Sequence, residues 1–233
     1  MIAVFKRELK SYFNTPIGFV ILAVFTFFGG MFFSVLYESG SPTVESIISV
    51  MSSIVVFITP FITMRLLSED RRQKVDQVLL TAPVKISSIV MGKFLAAFAL
   101  YSAGFIPTLI FQFIVATYVS LNWAIYFYAL LGVLLLGAVM ISIGEFLSSL
   151  TESPVVAAAL TFAVFLVVML FGSFVETNNN ALLSGINTAI SFVERFSNFI
   201  SGVFSFNDVF YMLSLTGVFM FLTICSVNKR RWA

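Results

Sequence analysis

The sequence predicts an all-α polytopic membrane protein with six transmembrane helices, and three observations carry that reading. Of the 233 residues, 60% are hydrophobic and 10% are charged, against about 25% charged in a soluble domain, and mean hydropathy is +1.05. The apolar residues gather in runs long enough to cross roughly 30 Å of hydrocarbon, which takes about 20 helical residues. Six such spans put both ends of the chain on one side, and that side then receives all but one of the 13 Lys and Arg residues. The exception is Arg195, and the asymmetry marks the basic side as cytoplasm.

Residues 1–14 place Ile2, Phe5, Leu9, Tyr12 and Phe13 on one helical face, with Lys6, Arg7 and Lys10 on the rest. This is the pattern of an amphipathic helix lying on the cytoplasmic membrane surface. A signal peptide is the rival reading, but the apolar run that follows is longer than an h-region and lacks a small-residue cleavage site. That run, 17–37, is the first span. A turn-rich loop with Gly40 and Pro42 leads to the second span, 47–67, whose Pro60 lies mid-membrane between Thr59 and Thr63. Their hydroxyls are expected to satisfy the carbonyl that proline frees. The kink is either a hinge or path-lining element, or purely structural.

Between the second and third spans the stretch 69–93 concentrates charge: Glu69, Asp70, Arg71, Arg72, Lys74, Asp76, Lys85 and Lys93, with Arg65 just before it. Such a block belongs in water, and its basic excess places it in the cytoplasm. Val75, Val78 and Leu79 recur at helical spacing, so a short helix here carries one apolar stripe and one charged face. We expect a docking surface for another protein.

The third span, 89–118, is longer than a membrane needs and should tilt or project, with Lys93 snorkelling to the surface. Pro107 bends it. Gln112 places an amide in its outer half, either hydrogen-bonded to a neighbouring helix or lining a path. A short turn at Ser120, Leu121 and Asn122 makes an antiparallel hairpin with the fourth span, 124–147, and Trp123, Tyr126 and Tyr128 read as an interfacial aromatic belt. Gly132, Gly137 and Gly144 permit close helix contact. Glu145 lies within about one turn of the cytoplasmic surface, where an exposed or locally paired carboxylate is expected.

After a second cytosolic loop at 150–153, Pro154 starts the fifth span, 154–175. The outer segment 176–207 holds Leu182, Ile186, Ala189, Val193, Phe196, Ile200 and Val203 at helical spacing, interrupted by polar residues. It reads as one or two half-membrane or interfacial helices. Asp208 is placed to cap the sixth span, 208–227, and Lys229, Arg230, Arg231 and Trp232 anchor the C-terminus.

Several chemistries are excluded. Without His there is no histidine-dependent metal site and no Ser-His or Cys-His relay, and the single Cys225 forms no intrachain disulfide. No Walker-type phosphate loop occurs, so this chain is not expected to be an enzyme and nucleotide hydrolysis must come from a partner. The mixture of Glu69, Asp70 and Asp76 with the basic groups argues against nucleic acid.

Three separated regions carry a resemblance. They are Glu69-Asp70-Arg71-Arg72 with Leu79-Leu80-Thr81-Ala82-Pro83-Val84 and Gly92-Lys93-Phe94-Leu95-Ala96; then Ser148-Ser149-Leu150-Thr151; then Phe199 to Val203 with Asp208-Val209, Tyr211 and Leu213-Ser214-Leu215. Together they resemble the ABC-2 type transporter permeases, especially the gliding-motility-associated branch. The chain departs from that pattern at Lys74-Val75, Gln77, Ser153-Pro154 and Asn207. The resemblance implies one transmembrane domain over 1–233, with a coupling helix in the stretch 69–85 that docks on a separate ATP-binding subunit. Asp70, Arg71, Arg72, Val75, Val78, Leu79 and Leu80 would make that contact, and Thr59, Pro60, Thr63, Pro107 and Gln112 are candidate pathway or hinge residues. It further implies a second permease subunit, identical or related, paired through the first, second and fifth spans. ATP and Mg²⁺ would be held by the partner and no cofactor by this chain. The setting would be a bacterial plasma membrane, and the direction export. A scaffold or mechanical-work subunit of an ATP-driven complex is the alternative, and an intramembrane enzyme would need a convergent polar set that the spans do not show.

Overall fold

The computed structural model describes residues 1–38, 44–74, 85–117, 123–178 and 192–231. These residues form helices and connecting turns without a strand. In chain order they are α1 Ile2–Asn14, α2 Pro16–Glu38, α3 Val44–Thr63, α4 Ser68–Arg72, α5 Ile86–Gly104, α6 Ile106–Ala116, α7 Trp123–Leu150, α8 Pro154–Asn178, α9 Phe192–Ile200 and α10 Phe206–Arg231. Six stretches are long and apolar enough to cross a membrane: α2, α3 with α4, α5 with α6, α7, α8 and α10. The expected turns around Pro42 and Asn122, the outer segment before Phe192, and Trp232 lie outside the described residues.

Helix α7 is the axis of the bundle. It packs against α10, α3, α9, α8 and α5, and every residue from Leu136 to Glu145 is buried. Apolar character alone does not set this burial, since the equally apolar α8 is largely unburied; the small residues along α7 set how near its neighbours come. A Cβ on Gly137 would overlap the Tyr101 ring of α5, one on Gly144 would overlap Thr63 of α3, and one on Gly132 would stand 2.5 Å from Phe199 Cβ of α9. The Tyr101 hydroxyl completes its contact by donating to the Val133 carbonyl at 2.8 Å.

Both proline-bearing spans are interrupted, each in its own way. Helix α3 ends at Thr63, one turn past Pro60, and a turn over 64–67 leads into α4. The hydroxyls of Thr59 and Thr63 donate to the carbonyls of Val55 and Thr59. This corrects the expected capping, because the carbonyl that Pro60 leaves without its N–H is four residues back, at Val56. The third span breaks at Phe105, two residues before Pro107, which occupies the first turn of α6 where its missing N–H costs nothing.

The opposite end of the bundle, away from α1, departs from expectation at two residues. Tyr126 is not part of an interfacial belt: it is fully buried, its hydroxyl 3.0 Å from that of Thr108. Asp208 does not cap the last span. Ser205 stands one residue before α10, and its hydroxyl accepts the Asp208 N–H at 3.4 Å, while the Asp208 carboxylate reaches back to Arg195 at 2.8 Å and the Asn198 amide at 3.0 Å. Asp208 therefore ties α9 to α10, an ion pair across the connecting turn that a capping signature does not reveal.

Candidate functional site

Charge collects where α1, α4 and α5 meet near the C-terminal end of α7. Helix α1 packs on α5, with Gly92 admitting Val4, while Ile2 and Phe13 of its apolar side stay exposed. That packing carries Glu8 over the start of α5. Lys93, one residue beyond Gly92, is buried there. Its ammonium lies 3.1 Å from Glu8 and 2.8 Å from Asp70 on α4. The expected snorkelling does not occur: in place of water, Lys93 finds two carboxylates, which meets the condition for burying a charge.

The surrounding groups extend this junction. Arg7 forks onto Glu8 through Nε and Nη2, at 3.2 and 2.6 Å, and lies 3.7 Å from Asp70. Burial works against the Glu8 charge, but the Lys93 ammonium and the Arg7 guanidinium outweigh it and hold the carboxyl below the ordinary glutamate value. Arg65 forks onto Glu69 at 2.6 and 2.8 Å, and Gln73 joins the same carboxylate at 3.2 Å. Arg71 crosses to the loop after α7, 2.6 Å from Glu152 and 3.3 Å from the Leu150 carbonyl.

Backbone groups freed by the turn at 64–67 are also met from outside their own helix. The Tyr12 hydroxyl donates to the Ile62 carbonyl at 2.7 Å, and burial raises its pKa. Ser148 of α7 accepts the N–H groups of Leu67 and Ser68 at 3.2 and 3.1 Å and donates to the Met64 carbonyl at 3.2 Å. Ser68 bonds the same carbonyl.

The residues expected to contact a partner thus divide. Asp70 and Arg71 are committed to contacts within the chain, and Arg72 is exposed. Lys74 adopts a left-handed φ of 57° and turns the chain away from α4. Val75, Val78, Leu79 and Leu80 lie outside the described residues. Glu8, Tyr12 and Ser148 were not singled out as functional, although Glu8 is the lone acid among the cations of α1.

Of the candidate pathway or hinge residues, Thr59, Pro60 and Thr63 are buried, and Thr63 lies against Gly144 of α7. Gln112 is fully buried on α6, and neither amide atom has a hydrogen-bond partner among the described residues. Glu145 also corrects the expectation: it is fully buried, and neither carboxylate oxygen has a hydrogen-bond partner among the described residues. Among the described residues no group of three or more Cys, Asp or Glu is placed to hold a metal ion.

Comparison with known protein families finds that the ABC-2 type transporter model matches residues 1–181. No curated protein matches the chain.

Proposed function

The chain belongs to the ABC-2 type transporter family, as a multi-pass membrane permease subunit, and we propose that it couples ATP hydrolysis by a separate subunit to export. In this reading the basic side of the bundle is cytoplasmic, as are both termini. Two permease chains form the conduit, and the ATPase holds ATP and Mg²⁺. The apolar stripe of Val75, Val78 and Leu79 enters a groove of the ATPase, and Arg72 offers the adjacent charge. Membership of the gliding-motility-associated branch rests on the motif resemblance.

The observation that carries the proposal is the three-way ion pair of Glu8, Asp70 and Lys93, together with the Arg71 bridge to Glu152. Through them α4, which enters the docking stretch, is fastened to α1, to the third span and to the loop after the fourth. A displacement of that stretch is thereby passed to several spans at once, which is what a bistable membrane element driven by a partner requires. Asp70 and Arg71 act in this scheme as internal fastenings for the docking stretch.

Co-purification of the ATPase with Leu79→Asp permease tests the assignment. The substitution removes one buried side chain, about 1.5–3 kcal/mol at most, and places a carboxylate in a dry contact. A loss of about two decades in partner affinity is expected, with coupled ATP hydrolysis falling in parallel. Undiminished co-purification and hydrolysis from a correctly inserted Leu79→Asp permease would overturn it.

A further inference from the structure

Two features lie side by side near the junction and share one lining residue. A polar cavity of about 360 Å³ lies between α1, the end of α3 and α4, lined by Arg7, Glu8, Arg65, Glu69 and Asp70 among others. This is within the range for small-molecule sites, roughly 300–1,000 Å³. A wholly apolar groove of about 640 Å³ runs between α2 and α3, lined by Val20, Val24, Phe28, Phe57, Phe61 and Met64 among others. Ile17 lines both. The lining changes from polar to apolar at Ile17 and Met64, where the first span begins and the second ends. Along α2 the groove extends from Pro16 to Phe28, about 18 Å at 1.5 Å per residue. A cavity lined by charged side chains, set beside a wholly apolar groove, matches the head and the tail of a phospholipid.

The polar groups left over in the cavity specify the head. Arg7 and Arg65 each use Nε and Nη2 on a carboxylate, so each has Nη1 without a hydrogen bond among the described residues. These N–H groups suit a phosphate. Glu8 is bonded through Oε1 alone, and the charge contacts of Asp70 fall on Oδ2, so Glu8 Oε2 and Asp70 Oδ1 remain as acceptors. They suit a primary ammonium, whereas a quaternary ammonium has no N–H to give them. The carboxylates of Glu8, Glu69 and Asp70 are balanced by Arg7, Arg65 and Lys93, so the cavity accepts a neutral zwitterion without added charge.

We propose that this cavity and groove form a binding site for one phosphoethanolamine-headed phospholipid, with phosphate on Arg7 and Arg65, ammonium on Glu8 and Asp70, and an acyl chain along the α2–α3 groove. The lipid then links α1 and the charged junction to the first two spans. It is a resident ligand, separate from any transported substrate, and the site does not depend on ATPase docking.

The test uses full-length permease purified in detergent and supplied with dioleoyl phosphatidylethanolamine, phosphatidylcholine or phosphatidylglycerol. Native mass spectrometry reads retained lipid and thermal unfolding reads stabilisation. We expect the ethanolamine lipid to be retained about tenfold more than the others and to raise the unfolding temperature. Arg65→Lys keeps the pair with Glu69 but removes the spare Nη1, and Val24→Trp fills the groove; each should cut retention about tenfold, matching loss of one charge-assisted hydrogen bond or of the chain's seat. Equal retention of the three lipids, or retention unaffected by both substitutions in folded protein, would overturn the site. So would efficient disulfide crosslinking of Val20→Cys between two copies in native membranes, which would give the groove to a second subunit.

Discussion

Lys93 and Asp70 are 2.8 Å apart, a charge contact joining the third span to the short helix that follows the second. With Glu8 at 3.1 Å, the buried ammonium holds two carboxylates whose other cation, Arg7, is half-exposed. Lys93→Met should therefore cost about 3–5 kcal/mol, the range for breaking a buried pair, read as a lower unfolding temperature in detergent.

Acid should act on the same contact. The Glu8 carboxyl is held below the ordinary glutamate value of 4.5 by Lys93 and Arg7 against the opposing effect of burial. Its contribution to stability is fully present above that ordinary value and is lost as pH falls through the lower folded one. A spin label at Ala3 should report α1 loosening over that acidic window in the wild type. In Glu8→Gln the Glu8 part of the pH dependence should vanish.

Gly137 and Gly144 set the spacing of α5 and α3 against α7. Gly137→Leu should cost at least about 1–3 kcal/mol, because the Tyr101 ring has nowhere to retreat without losing its bond to Val133. Gly217 on α10 meets nothing within 4 Å, so Gly217→Ala should be tolerated or slightly stabilising, as helix propensity favours alanine by about 1 kcal/mol. Unfolding temperatures of the two variants provide the comparison.

Glu145 leads to the opposite expectation from Lys93. Its oxygens are buried without hydrogen bonds among the described residues, so Glu145→Leu should leave stability unchanged or raise it by about 1–3 kcal/mol. A clear fall in the unfolding temperature would show that the carboxylate has a partner in the assembled protein.

The proposed sidedness rests on the basic asymmetry. A membrane-impermeant thiol reagent, used on a Cys225→Ser background, should label cysteine at Asn179 in intact cells and cysteine at Gln73 after permeabilisation. Labelling of Gln73 from outside would reverse the arrangement.

The membrane-crossing helices were legible because hydrocarbon demands long apolar runs, and such runs are local in sequence. The role of the α7 glycines was also legible, since small residues at intervals have few other uses inside a bundle. The charged junction was not. Glu8 and Lys93 are separated by 85 positions, and Leu67 and Ser148 by 81, distances over which no periodicity survives. The charge of Lys93 alone predicts a residue that seeks water, whereas two distant acids make burial the better solution. Asp208 misled for a related reason: its place near a helix start fits a local cap, and the Arg195 that claims it stands in another helix. The expected partner stripe at Val75, Val78 and Leu79 rests on spacing and resemblance.

The turn over 64–67 has a consequence for how α4 moves. Ser148 plugs its backbone groups and Tyr12 takes the Ile62 carbonyl just before it, in a place where Leu67, Ser68 and Ser148 are all buried. Swinging α4 a few degrees pulls two N–H groups off the Ser148 hydroxyl together, with no solvent to replace it, so half-turned positions are the most costly. Such a joint behaves as a detent: it rests in a seat, resists small pushes, and yields when a new set of partners is in reach.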